Sequence, residues 1–131
     1  MNTILNIILM IHSITRWIIV IVGVIAAAKF ALGGLGRTPY RPMDRGLMSG
    51  FTGLMDLQLL LGAMMLIGFG LEPYRLEHAL TMLVAVILAH LSVRWRNAAD
   101  VIKFRNNFLL VVGVFLLIFL GIAVLPQGWF G

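Results

Sequence analysis

From Phe108 to Leu125 the chain runs eighteen residues without a charged side chain. A stretch of that length and character is read as a membrane-crossing helix, because a helix needs about 20 apolar residues to cross a hydrocarbon core of about 30 Å. Three further apolar stretches precede it, near residues 4–33, 47–70 and 76–95. Composition agrees. Of the 131 residues, 61% are hydrophobic and 11% charged, against about 25% charged in soluble domains. Such a chain cannot cover itself with a wetted surface. The expected fold is all-α, a four-helix transmembrane up-down bundle. Residues 1–131 form a single integral membrane domain, with helices near 4–33, 47–70, 76–95 and 106–125.

The links between the stretches are short, which favours antiparallel neighbours. Residues 33–46 read GGLGRTPYRPMDRG, whose Pro and Gly break a helix. Lys29, Arg37, Arg41 and Arg45 surround this first link, and Arg94, Arg96, Lys103 and Arg105 surround the third. Those are eight of the ten basic residues. Clustered Lys and Arg mark the cytoplasmic side of a membrane protein. The expected placement is the bacterial plasma (inner) membrane with both termini outside. Trp17, Tyr74 and Trp129 would then form an outer aromatic belt and Trp95 an inner one. The same reasoning assigns the net charge of +5 to topology and not to nucleic-acid binding.

No cysteine is present, so disulfides, thiolate metal sites and covalent haem attachment are excluded. The sequence also has no Gly-rich phosphate loop, HExxH or nucleophile elbow. Chemistry must come from the few polar residues in the apolar stretches, where burial is expensive. His12 and Arg16 are four residues apart and share a helix face. His78 opens the third helix at the same outer level. Two imidazoles from separate helices can ligate a b-type haem axially, with an arginine against a propionate. Snorkelling to headgroups and water would also account for these three residues. His90 lies twelve residues after His78, about 18 Å along the helix and about 120° around it, so the two cannot share one iron. Asp56 falls at a similar depth on the second helix. A hydrogen bond between them, both facing the bundle interior, is expected, either as a structural contact or as part of a proton relay or quinone contact. Gln58 is expected to bond to a neighbouring helix, and Gly46, Ser49, Gly50 and Gly53 to let helices approach closely.

The segments HSITRW (12–17), LQLLLG (57–62), EHALTM (77–82), AH (89–90) and LPQGWF (125–130) are spread along nearly the whole chain. In these it resembles a family of small bacterial four-helix membrane proteins often labelled cytochrome-b-like. The resemblance implies a small electron-transfer protein that binds haem b or interacts with quinone. It implies His12 and His78 as axial iron ligands, with Arg16 and Glu77 as their charged partners. The alternative is a cofactor-free accessory subunit of a larger respiratory or photosynthetic complex. Expected partners are lipid, other membrane subunits or further copies of the chain.

Overall fold

The computed structural model describes residues 2–126 and 128; Trp129, expected in the outer belt, lies outside the described residues. Four helices follow one another: α1 (Asn2–Gly36), α2 (Pro42–Phe69), α3 (Pro73–Ala89) and α4 (Asp100–Ala123). A six-residue 3-10 turn, His90–Trp95, extends α3. Among the described residues there is no strand. Each helix packs on the next in chain order and α4 packs back on α1, as an up-down bundle requires. All four are long and apolar enough to cross a membrane. This is an all-α, multi-pass membrane protein.

The exterior is apolar. Ile67, Leu116, Phe119 and Leu120 are each more than 60% exposed, which water would penalise and lipid does not. The interior is a thin line of close-packed side chains, led by Phe30, Phe51, Phe104, Val111 and Val114. Gly23 and Gly33 sit where rings press against the backbone. A methyl on Gly23 would collide with Phe115, and one on Gly33 with Phe104.

All four helices start earlier than the apolar runs suggest, and for α2, α3 and α4 the cause is local. Pro42 and Pro73 occupy the first turns of α2 and α3. A proline is tolerated there because its missing N–H would have no partner in any case. Asp44, in the first turn of α2, accepts the backbone N–H of Arg41 at 2.9 Å and so fixes the start of that helix. α4 begins at Asp100, so its first two turns are polar and extend beyond the apolar run.

The end of the bundle that carries the first and third links is closed by a continuous polar network. Lys29 Nζ of α1 meets Asp44 Oδ1 of α2 at 2.7 Å. The Tyr40 hydroxyl donates to the Asp44 carbonyl oxygen and accepts from Asn107 Nδ2 of α4 at 2.8 Å. Asn107 Oδ1 in turn accepts from Trp95 Nε1 at 2.7 Å. Trp95, expected in a lipid-facing belt, is therefore tied into the protein. Phe30, Tyr40 and Phe104 stack beside the network with centroids 5.0–6.3 Å apart. This clamp leaves the opposite end of the bundle free to open around a cavity.

Candidate functional site

At that opposite end the helices enclose a cavity of about 370 Å³, within the range of about 300–1,000 Å³ usual for ligand sites. Its wall is mostly Leu, Ile, Met and Val. The polar groups reaching it are few: His12, Ser13 and Arg16 from α1, Gln58 from α2, and Tyr74, Arg75 and His78 from α3. The three residues singled out by sequence, His12, Arg16 and His78, are thus brought to one space. Glu77 is not. It is exposed and points away from the cavity, because adjacent positions on a helix face different directions.

His78 is held by its second-neighbour contact. Its Nδ1 lies 2.8 Å from the Gly121 carbonyl oxygen of α4. A carbonyl only accepts, so Nδ1 carries the proton and Nε2 carries the lone pair. This is the orienting hydrogen bond typical of a ligating imidazole. With no side chain at Gly121, α4 comes close enough to α3 for that carbonyl to reach His78. A methyl there would collide with the end of Met82 and lie 3.3 Å from Thr81 Cγ2. The close α3–α4 approach and the tautomer of His78 therefore share one cause.

His12 is placed from the other side. Gln58 Nε2 donates to the main-chain carbonyl of His12 at 2.8 Å, joining α2 to α1; this interhelical bond is the one expected for Gln58. Gly62, one turn further along α2, faces the imidazole: a methyl built on it would be 3.7 Å from His12 Nε2. The LQLLLG segment thus contributes a donor and a bare backbone surface on one face.

Two polar atoms at the cavity lack partners. Arg16 Nε and Gln58 Oε1 are buried without a hydrogen bond among the described residues. The Arg16 guanidinium lies over the Trp17 ring, 5.6 Å from its centroid. Buried polar atoms are normally satisfied, and both residues line the one cavity, so a small shift of either side chain would offer an orphan donor or an orphan acceptor to a polar ligand edge. Arg75 lies over Phe69 and Tyr74, 5.5 and 5.6 Å from the ring centroids, and donates to the Phe69 carbonyl. These residues line the cavity at the α2–α3 turn.

The donor set was partly hidden from sequence. Gly121 and Gly62 gave no separate signal within apolar runs, since a glycine there reads as ordinary helix packing. Tyr74 and Arg75 read as interfacial residues. No group of three or more His, Asp or Glu residues able to hold a bare metal ion occurs among the described residues. Two axial imidazoles, in contrast, suffice for haem iron, whose other four ligands come from the porphyrin.

His90 is elsewhere. Its Nε2 lies 2.8 Å from Asp56 Oδ1, so the expected pairing forms. The expected interior placement is corrected: the side chains are 53% and 48% exposed, on the outer surface where α2 meets α3. The reason is azimuth. Met48, Phe51 and Met55 occupy the buried face of α2, and Asp56 is turned about 100° away from Met55. Comparison with known protein families, curated proteins and solved structures returns no match, so function has to be argued from this geometry.

Proposed function

We propose that the chain is a membrane electron-transfer protein that holds haem b in the cavity at the α2–α3 turn end. The observation that carries this is the convergence of two imidazoles from different helices, His12 and His78, on a mainly apolar space bordered by Arg16. The donor set fits the group. His78 presents Nε2 because Gly121 holds Nδ1–H. His12 would supply the second iron-ligating nitrogen. Arg16, with an unpaired Nε, would balance a propionate. Haem, when bound, supplies a reversible one-electron iron couple. The protein's contribution is to fix the two imidazoles, exclude water with the Leu, Ile and Met wall and neutralise acidic edge groups.

Gln58 favours a second reading of the same cavity. Its unpaired Oε1 acceptor and the unpaired Arg16 Nε donor, on two residues that line the cavity, would match the needs of a quinone–quinol ring.

Absorbance decides between them. Protein purified from membranes supplied with haem is expected to give a b-type band in the reduced-minus-oxidised spectrum. A colourless preparation whose native fluorescence or stability responds to added quinone analogue favours the quinone. A colourless preparation that responds to neither and travels with a large complex leaves the accessory-subunit role.

Orientation belongs to the same proposal. The basic residues of the first and third links put those links in the cytoplasm of a bacterial cell, with both termini and the cavity toward the outer face. A reporter active only in the cytoplasm is expected to work when fused within 37–41 or 96–99 and to be silent at either terminus. Activity of a C-terminal fusion would overturn this topology.

A further inference from the structure

Asp56 lies midway along α2, a membrane-crossing helix, and pairs with His90 where α3 passes into its 3-10 turn; the two side chains are about half exposed to the surroundings of the bundle. Each group makes one hydrogen bond within the chain, and Asp56 Oδ2 and His90 Nδ1 have no partner among the described residues. Ionisable groups at that depth are costly against hydrocarbon and are found facing protein or water. The surface beside the pair is low. Gly53, one turn before Asp56, has nothing in the chain within 4 Å of where a Cβ would be. Gly46 and Gly50 are equally open but border a groove toward Val22 of α1. These glycines were expected to bring helices of the bundle together. They do not, because the core-facing side of α2 is the opposite one, formed by Met48, Phe51 and Met55.

We propose that a second copy of this chain packs on the α2–α3 seam, about a two-fold axis along the membrane normal, with Asp56 of each copy facing His90 of the other. Charge complementarity selects this occupant. Copies inserted in the same direction bring their polar pairs to the same depth. A two-fold axis on the seam then sets α2 of one copy against α3 of the other, so that each unpartnered carboxylate oxygen meets an imidazole nitrogen. An isologous contact of this kind is self-complementary and closes as a dimer. Small residues at the crossing allow the close approach that helix association in lipid depends on. The glycines alone would not identify a partner; the half-exposed hydrogen-bonded Asp56–His90 pair at matching depth does.

The native chain has no cysteine, so single cysteines report contacts cleanly. Gly53→Cys on one chain and Val93→Cys on a co-expressed second chain, oxidised in isolated membranes, are expected to give a covalent dimer, because Val93 is exposed and shares the face of His90 in the 3-10 turn; Leu116→Cys on the exposed face of α4 is expected to give none. Gly53→Phe supplies a separate readout. Its side chain meets no atom of its own chain at Cβ, so helicity and membrane insertion are expected to remain. The dimer fraction in dilution or energy-transfer measurements is expected to fall at least about ten-fold. Absence of the Gly53→Cys with Val93→Cys dimer, a dimer from Leu116→Cys instead, a covalent adduct with a different protein, or an undiminished Gly53→Phe dimer would each overturn the proposal.

Discussion

His12→Ala and His78→Ala are each expected to abolish the b-type absorbance band while leaving the protein in the membrane. The two outcomes separate because they depend on different parts of the chain. Insertion depends on four long apolar helices, and neither substitution shortens one. Iron ligation depends on a nitrogen lone pair at one position, which alanine does not supply. His90→Ala is the internal control. His90 is bound to Asp56 on the bundle surface and does not line the cavity, so the band should persist. Gly121→Leu adds a graded test of how His78 is held. Its side chain would press on Met82 and Thr81, widening the α3–α4 contact and drawing the carbonyl from His78 Nδ1. Overpacking of this kind costs about 1–3 kcal/mol. The band should weaken or shift without the complete loss expected for His78→Ala. If both histidine variants keep a wild-type band, the haem assignment to this cavity is wrong.

Asp56 and His90 show where sequence reasoning succeeds and where it stops. Depth along a helix follows from counting residues, so their pairing was legible. Azimuth relative to the core was not, because α2 is apolar nearly all round and its polar residues did not mark an inside. The glycines failed for the same reason: Gly53 looked like packing within the bundle but faces outward. His12 and Arg16 were easier. Their spacing places them on one face, and the antiparallel order brings His78 to the same level. The tautomer of His78 was not legible, since it depends on a backbone carbonyl 43 residues away that any residue type carries. Helix number and order were readable because lipid imposes a simple rule, a long apolar run per crossing. Helix starts were less so, since Pro42, Pro73 and Asp100 lie in polar segments that resemble links.

The clamp at the other end was the least visible feature, and its removal is expected to cost the most stability. Asp44 read as one charge in an Arg-rich link, yet it is fully buried. Its two carboxylate oxygens serve different partners, Oδ1 the Lys29 ammonium and Oδ2 the Arg41 N–H. Its carbonyl oxygen accepts from Tyr40, whose phenol is pushed upward in pKa by burial and so stays protonated as a donor. Asp44→Ala leaves the ammonium and the N–H without their acceptor while the surrounding side chains still exclude water. Breaking a buried ion pair from one side costs about 3–5 kcal/mol. Lys29 is 35% exposed and can turn partly toward the interface, so about 3 kcal/mol is the expected loss. Asp44→Asn keeps an acceptor oxygen and should lose less. Asp100→Ala removes an exposed partner 3.9 Å from Lys103 and should cost about 0–1 kcal/mol. Unfolding midpoints in mixed micelles with rising dodecyl sulfate measure all three. The expected order is Asp44→Ala least stable, then Asp44→Asn, then Asp100→Ala near wild type. Because the cavity lies at the opposite end of the helices, folded Asp44→Ala protein should keep the ligand-binding behaviour of the wild type. An Asp44→Ala midpoint equal to that of Asp100→Ala would show that the four helices are held without the clamp.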